Sequence, residues 1–274
     1  MPELPEVETV RNVLKGWVVG KTIKDVNAFY EKVLEGINLS DFRSKIVNQR
    51  INDIGRMGKY LLFVLDDYIL LSHLRMEGKY YLINDEKMDE KTNKHKIISF
   101  HLDDGSTLLY HDVRKFGKMK LLDKNNYLED ESLKRVGKEP FDIKGNELYL
   151  QIKSSNKTIK ELLLDQSIMA GLGNIYVDEV LFSSKIYPLR KGKEVSLKEC
   201  DVIVKNSVIV LNKAIELGGS TIKTYHSGNK VDGRFQNELN VYGKKGEKCP
   251  NCGTLIEKMV VGGRGTHYCH KCQK

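Results

Sequence analysis

The sequence has no long hydrophobic run and no export-type start. No apolar stretch in its 274 residues approaches the ~18 residues that a membrane-spanning helix needs. A secretory signal needs a basic start and an apolar run of about 7–15 residues, whereas Glu3, Glu6 and Glu8 are all acidic. Internal repeats and low-complexity tracts are also lacking. These absences predict a globular cytoplasmic protein with no membrane segment.

Cysteine is scarce, and its spacing is informative. Of the five cysteines, four form two Cys-x-x-Cys pairs, Cys249 with Cys252 and Cys269 with Cys272, whereas Cys200 stands alone. Without an export signal, such pairs indicate metal ligands rather than disulfides. Four thiolates suit one tetrahedral zinc, and a closed ligand set leaves no open position for catalysis. The spacing therefore predicts one structural Zn²⁺.

Positive charge exceeds negative charge. The chain has 45 Lys and Arg residues against 37 Asp and Glu residues, for a net charge of +8. This excess would attract the chain to a phosphate backbone. A lysine-rich solvated surface explains the charge equally well. The charge alone leaves both interpretations open.

The period of the hydrophobic pattern changes along the chain. Apolar residues at helical spacing predict an amphipathic helix over residues 5–16. Over about residues 22–122, short apolar runs alternate with turn residues, and Asp-Asp and Asp-Gly provide hairpin signals. After about residue 130 the pattern is helical. These patterns predict an α+β protein with an N-terminal β-sandwich.

Several loop-like segments carry residues suited to nucleic acid. Asn174 follows two glycines at a predicted helix start, where backbone N–H groups can bind phosphate, although an ordinary loop is the commoner explanation. Met76, Arg114 and Phe116 follow strands and could wedge into a base stack, although capped hairpin ends are commoner. Between the cysteine pairs, Gly-Gly-Arg-Gly predicts a hairpin with Arg264 at its tip.

The start of the chain can carry covalent chemistry. Initiator Met is ordinarily removed before proline, which would leave Pro2 with a secondary amine whose pKa is about 8. Such an amine can attack a sugar C1′, and the resulting iminium is an electron sink. Glu3 could then move protons, and Glu6 could hold the terminus. In isolation, a disordered terminus with dipole-matching acids explains this stretch more simply.

Taken together, these features resemble the formamidopyrimidine-DNA glycosylase family of bifunctional bacterial repair enzymes. The resemblance runs along the whole chain through "PELPEVETV", "GRMGKYL", "SHLRM", "DVRKFG", "LLLDQSIMAGLGNIYVDEVLF", "GGSTI" and the zinc finger. It implies a β-sandwich with an N-terminal catalytic helix, a helical domain with a helix-two-turns-helix motif, and a C-terminal zinc finger. The expected segments are a catalytic domain at 1–130, a linker at 131–145, the helical domain at 146–243 and the finger at 244–274.

The resemblance also implies an activity. The family excises oxidised purines, such as 8-oxoguanine and formamidopyrimidines, from duplex DNA and cleaves the abasic site by β,δ-elimination. By resemblance Pro2 is the nucleophile that forms a Schiff base, Glu3 is the main proton donor and Glu6 belongs to the same catalytic set. Lys59 assists β-elimination, and Arg264 holds phosphate and assists δ-elimination.

The resemblance further implies how DNA is held. Met76, Arg114 and Phe116 would fill the gap left by the everted nucleotide, with Arg114 facing the orphaned cytosine. A loop at 218–242 would cover the extruded purine. Other DNA contacts are expected at His73, His95, Lys160, Asn174 and Arg264, most of them to phosphates.

Two departures and two alternatives stand beside this interpretation. His270 stands where the family usually has proline. "SSN" at 154–156 thins a lysine-rich stretch, so that a phosphate contact there is either absent or moved to Lys153 or Lys157. The sister endonuclease-eight-like branch shares the fold but acts mainly on oxidised pyrimidines. A non-catalytic, zinc-dependent DNA-binding protein would need no free Pro2. The sequence favours a monomeric, nucleoid-associated bacterial purine glycosylase whose partner is damaged double-stranded DNA.

Overall fold

The computed structural model describes residues 1–83, 94–220 and 233–274. The chain forms two compact units. The first is Met1–Lys134 with Ser220 and Gly233, and the second is Arg135–Gly219 with Arg234–Lys274. The predicted domain boundaries stay predictions, because contacts define a compact unit whereas independent folding defines a domain. Among the described helices, none has both the length and the apolar character needed to cross a membrane.

The first unit is built on two four-stranded antiparallel sheets. One sheet has the order β1-β6-β7-β5 and the other β2-β3-β4-β8. Buried side chains from both sheets form one hydrophobic core. The predicted β-sandwich is therefore confirmed. The strands are β1 Ile23–Ala28, β2 Asp53–Met57, β3 Tyr60–Val64, β4 Tyr68–His73, β5 Lys79–Ile83, β6 Lys96–Leu102, β7 Thr107–His111 and β8 Lys118–Asp123.

Both predicted hairpins are present. Asp66 and Asp67 join β3 to β4, whose residues pair antiparallel from Tyr60 with His73 to Val64 with Ile69. The Asp-Gly turn joins β6 to β7 in the other sheet. These turns are short, so each strand returns beside its predecessor and the register places apolar residues in the core.

Helices cover the first unit at two places. Helix α1 spans Leu4–Val18, slightly longer than predicted, and α2 spans Leu39–Ile46. The apolar face of α1 is buried in the sandwich core. Burial of about four aliphatic side chains, each worth roughly 1.5–3 kcal/mol, anchors this helix. The short helix α3, Glu131–Lys134, follows the last strand of the sheets.

The second unit is helical and ends in a small hairpin. Ser196 caps the longest described helix, α7 (Leu197–Glu216), by accepting a hydrogen bond from the Glu199 N–H at 3.3 Å. Gly173 is the N-cap of α6 (Asn174–Ser183) and the last residue of the loop before this helix. The elements are α4 Gly145–Ile152, α5 Ile159–Leu164, α6 Asn174–Ser183, α7 Leu197–Glu216, β9 Glu257–Val261 and β10 Arg264–Tyr268. Short 3-10 turns lie at Glu31–Val33, Tyr127–Glu129, Gly192–Glu194 and Phe235–Glu238.

Candidate active site and nucleic-acid interface

The first turn of α1 is anchored by a shared carboxylate. Pro2 and Glu3 are buried, and the Glu3 N–H donates to Glu6 Oε2 at 2.8 Å. The other oxygen, Glu6 Oε1, accepts from the Ser220 N–H at 2.8 Å and lies 3.2 Å from the Ser220 hydroxyl. One buried carboxylate therefore holds both the start of the chain and a residue 214 positions further along.

Charged groups surround the start of the chain. Burial lowers the pKa of the Met1 terminal amine, Glu3 and Glu6 act to raise it, and the Lys59 cation lowers it further. Lys59 is only 6% exposed. It follows Gly58, whose φ of 55° suits the tight turn between β2 and β3. An ammonium group and two carboxylates thus converge on the end of the chain.

A second ionic cluster holds α1 against this turn. Glu8 accepts from Arg56 Nε at 2.8 Å and pairs with Arg11. Burial acts to raise the pKa of Glu8, but the hydrogen bonds from Arg11 and Arg56 outweigh it and lower the pKa. Arg56 also donates to the Gly58 carbonyl at 2.9 Å. The position of Lys59 is therefore linked to α1 through Glu8 and Arg56.

Two crossover loops lie side by side at one end of the sandwich. Residues 74–78 join β4 to β5, and residues 112–117 join β7 to β8. The end of β4 pairs with the start of β8, and the start of β5 pairs with the end of β7. Because both loops cross between the sheets from neighbouring strand ends, they run next to each other.

These loops carry the three predicted gap-filling residues. Phe116 is 50% exposed, and the Arg114 guanidinium lies 4.8 Å from the centroid of its ring. Met76 is half-buried on the other loop. The buried carboxylate of Asp112 accepts N–H bonds from Arg114 at 2.9 Å, Phe116 at 2.9 Å and Gly117 at 2.8 Å. The structure thus places the three residues on two adjacent loops, and Asp112 supports the loop that carries Arg114 and Phe116.

The two predicted histidines have different surroundings. Burial, with the nearby charges of Arg75 and Lys59, lowers the pKa of His73 to about 3. His73 is therefore neutral near pH 7, and its Nδ1 accepts the Arg75 N–H at 2.9 Å. His95 lies just before β6, edge-on to His111 with ring centroids 5.5 Å apart. This hydrogen bond to His73 holds the start of the loop that carries Met76.

In the second unit, a buried ion pair joins a helix to the C-terminal hairpin. Lys160 and Asp178 have fully buried side chains, and the Lys160 ammonium pairs with Asp178 Oδ1. Asp178 Oδ2 accepts the His267 backbone N–H at 2.9 Å, and His267 Nδ1 lies 3.3 Å from it. The family resemblance implies a phosphate contact for Lys160. Here its ammonium faces Asp178 and has no exposed surface.

Asn174 and Arg264 lie close together in the same unit. Asn174 is the first residue of α6, as predicted, and its Nδ2 donates to the Gly265 carbonyl at 2.9 Å. Arg264 is exposed and is the first residue of β10, paired with Val261. Positions 262 and 263 form the turn, so Arg264 lies one residue beyond the predicted tip. This hydrogen bond joins the first residue of α6 to the strand residue that follows Arg264.

A carboxylate not predicted from the sequence holds a backbone segment. Glu179 is buried and accepts N–H bonds from Asn240 at 2.8 Å, Val241 at 2.9 Å and Tyr242 at 2.9 Å. Glu179 and Asp178 are adjacent acids inside an otherwise apolar stretch. That pattern could have identified both, because buried carboxylates need dedicated donors.

The predicted lesion-covering loop, residues 218–242, is described only at its two ends. Residues 221–232 lie outside the described part of the chain. Before this gap, Ser220 donates to Glu6. After it, the segment that ends at Tyr242 is held by Glu179.

The four paired cysteines form one cluster of sulfur atoms. All four Sγ atoms lie within 4.8 Å of one another, with 3.8 Å between Cys249 and Cys272 and 3.5 Å between Cys252 and Cys269. Zn–S bonds of about 2.3 Å in a tetrahedron separate sulfurs by about 3.8 Å. The donor set therefore fits one structural zinc, as predicted. In the turn after Cys269, His270 Nδ1 lies 2.8 Å from Glu257 Oε1.

Comparisons with known proteins cover nearly the whole chain. The family model of the formamidopyrimidine-DNA glycosylase N-terminal domain matches residues 1–119, and the model of its H2TH domain matches residues 136–226. The model of a zinc finger found in FPG and IleRS matches residues 246–274. These matches follow the order of the structural elements described above.

Curated bacterial proteins and solved structures agree with the family models. A formamidopyrimidine-DNA glycosylase of Bacillus cereus is 47% identical over 100% of this chain and 99% of its own length. The corresponding protein of Streptococcus pneumoniae is 45% identical, with the same coverage. A Lactococcus lactis FPG mutant in complex with a Fapy-dG containing DNA has a TM-score of 0.93 and 41% identity, with 100% of both chains covered. A MutM structure in complex with carbocyclic 8-oxo-G containing DNA has a TM-score of 0.90 and 40% identity, again with 100% of both chains covered. The chain belongs to the formamidopyrimidine-DNA glycosylase family.

Proposed function

We propose that this chain is a base-excision repair enzyme that removes oxidised purines, including 8-oxoguanine and formamidopyrimidines, from duplex DNA and then cleaves the strand. The observation that carries the proposal is the enclosure of the chain start by Glu3, Glu6 and Lys59. The relatives support the substrate class, since their solved structures hold Fapy-dG and 8-oxo-G containing DNA.

The reaction begins with the amine of Pro2, freed by removal of Met1. Its nitrogen forms a bond to C1′ while the bond from C1′ to the base breaks, and Glu3 supplies protons to the departing groups. The opened sugar is then held as an iminium. Loss of a C2′ proton expels the 3′ phosphate in β-elimination, assisted by Lys59. A second elimination, assisted by Arg264, removes the C4′ proton and expels the 5′ phosphate.

The surroundings favour a neutral amine at this position. Burial lowers the pKa of the Met1 amine, and Lys59 lowers it further. Pro2 is itself buried, one residue along, so we expect burial and the Lys59 charge to act on its amine in the same direction once Met1 is removed. Glu6 fixes the turn through the Glu3 N–H, which orients the nucleophile without occupying its lone pair.

The crossover loops supply the DNA-distorting surface. Chemistry at C1′ requires the damaged nucleotide to leave the base stack, which leaves a gap in the duplex. Met76 and Phe116 fill this gap, and Arg114 presents planar donors to the orphaned cytosine. Asn174 and Arg264 bind the DNA backbone. The protein acts as a monomer on nucleoid DNA in the bacterial cytoplasm.

Borohydride trapping tests the nucleophile directly. On a duplex with 8-oxoguanine opposite cytosine, reduction should yield a covalent adduct, and proteolysis should place the sugar on the peptide that begins at Pro2. The terminal amine is less protonated at pH 7 than a lysine with a pKa of about 10.4. Pro2→Gly should retain some trapping, because a primary amine remains. An adduct formed by an N-terminally extended protein would refute the assignment.

Two controls separate the steps and the substrate classes. Glu3→Gln should lose base excision yet still cut a pre-formed abasic site, where no base has to leave. A duplex carrying thymine glycol should be cut much more slowly than one carrying 8-oxoguanine. Faster cutting of the thymine glycol duplex would mean that the protein acts mainly on oxidised pyrimidines.

A further inference from the structure

One buried hydroxyl contacts both gap-filling loops. Tyr110 lies in β7 with no exposed surface. A Cβ atom added to Gly78 would lie 2.0 Å from the Tyr110 hydroxyl oxygen, and one added to Gly117 would lie 1.8 Å from it. Gly78 ends the loop of Met76, whereas Gly117 ends the loop of Arg114. The hydroxyl therefore occupies the space between two segments that come from different sheet crossings.

Space, rather than backbone conformation, requires glycine at these two positions. Neither Gly78 nor Gly117 has a positive φ, whereas Gly105 in the β6–β7 turn has a φ of 84°. A residue with a side chain could adopt the backbone at either position. The nearest obstacle at both is the end of the Tyr110 side chain, and at Gly78 the Leu74 carbonyl oxygen, 2.7 Å from the added Cβ, is a second one.

Both contact points are hydrogen-bonded anchors of their loops. The Gly78 N–H donates to the Leu74 carbonyl at 3.0 Å, and the Gly117 N–H donates to Asp112 Oδ2 at 2.8 Å. The Tyr110 ring is itself fixed in the core, 5.0 Å from the ring of Tyr80. Because buried side chains are close-packed, a displacement of one loop should be transmitted to the other through the Tyr110 side chain.

We infer that Tyr110 is a positioning residue that couples the two loops. Met76 on one loop and Arg114 with Phe116 on the other then enter the DNA gap as one rigid edge. The inference rests on the proposed gap-filling role of these loops. Recognition of the orphaned base accordingly depends on a hydroxyl that never touches DNA.

Hydrogen exchange in the DNA-free protein tests the coupling without relying on activity. Tyr110→Phe removes only the hydroxyl, and we expect exchange at the Gly78 and Gly117 amides to accelerate together, roughly threefold to tenfold. Tyr80→Phe is the matched control, because it removes a buried hydroxyl that bonds to Ser72 in the same core. Acceleration at neither amide, or at only one, would overturn the inference.

A substitution in one loop should also change the rate of amide hydrogen exchange in the other loop. Gly117→Ala forces the Tyr110 side chain to shift, so exchange at Gly78 should accelerate although Gly78 lies on a different loop. Gly55→Ala is the control, since its new Cβ would meet nothing closer than Leu62 Cβ at 3.6 Å. An unchanged Gly78 amide in folded Gly117→Ala would contradict the coupling.

Opposite-base selectivity connects the coupling to function. Tyr110→Phe should lower the ratio of 8-oxoguanine excision opposite cytosine to that opposite adenine several-fold, with cleavage of a pre-formed abasic site within about twofold of wild type. If Arg114→Ala lowers this ratio and Tyr110→Phe does not, the positioning role is refuted. If Arg114→Ala also leaves the ratio unchanged, the proposed function of Arg114 fails, and exchange alone decides the coupling.

Discussion

Replacing Asp178 by alanine removes the counter-charge of a lysine that has no exposed surface. Lys160 would keep a buried ammonium without its carboxylate, a change that costs about 3–5 kcal/mol in proteins. The His267 N–H would also lose its acceptor, which adds about 1–3 kcal/mol. Because whole domains are stable by only about 5–15 kcal/mol, Asp178→Ala should bring the second unit close to unfolding.

The double variant should be more stable than this single variant. Lys160→Met with Asp178→Ala removes both charges, so the remaining cost is mainly the unsatisfied His267 N–H, about 1–3 kcal/mol. Glu238→Ala is the matched control, since it breaks an ion pair with Lys213 whose side chains are 42% and 54% exposed. That loss should stay below about 1 kcal/mol.

Urea denaturation followed by far-ultraviolet circular dichroism measures these free energies of unfolding. The order of stability should be wild type, Glu238→Ala, the double variant and then Asp178→Ala. The reasoning fails if Asp178→Ala costs no more than Glu238→Ala, or if the double variant is less stable than Asp178→Ala. Either result would mean that the Lys160 ammonium reaches water in solution.

Three other predictions concern metal, DNA and pH. Zinc removal by a chelator should abolish DNA binding while the sandwich keeps its β-sheet circular dichroism, because the sandwich has its own core; unchanged DNA affinity would contradict this. DNA-binding titrations at several salt concentrations should show that the logarithm of the affinity falls linearly with the logarithm of the salt concentration, with a slope of about −0.9 per contacted phosphate. An affinity that does not change with salt would mean that the basic residues do not contact DNA phosphates. The pKa of His73 is about 6.5 in the unfolded chain and about 3 in the folded protein. Between these two pH values the unfolded state binds more protons than the folded state, so the free energy of unfolding should fall as the pH drops from about 6.5 to about 3. His73→Asn should flatten this part of a plot of unfolding free energy against pH, and an equally steep plot would show that His73 titrates normally in the folded protein.

The elements that sequence predicted well are those with local signals. Period-2 runs with Asp-Asp and Asp-Gly turns predicted two hairpins that the structure contains. The spacing of two Cys-x-x-Cys pairs predicted a cluster whose four sulfurs fit one zinc. In both cases the interacting residues are near in sequence, so the chain geometry limits the arrangements.

The buried carboxylates that hold the loops and the hairpin in place could not be predicted from local signals of this kind. Asp112 organises its own loop, yet a single aspartate after a strand resembles an ordinary turn residue. The apolar residues around Asp178 indicate a buried carboxylate, but no local pattern indicates that its partner is His267, 89 positions away. The catalytic and DNA-contact assignments stay predictions, because position alone does not establish chemistry.

The Glu6 carboxylate has a consequence for the timing of biosynthesis. Its second partner, Ser220, lies 214 residues downstream. At about 5–20 residues per second, a bacterial ribosome adds Ser220 about 10–40 s after Glu6. During that interval the nascent chain carries its N-terminus without the downstream half of the anchor. The complete anchor of the first turn of α1 therefore awaits nearly complete translation. If Pro2 is the nucleophile, as proposed, a truncated product that ends before Ser220 would have the amine without the second half of this anchor.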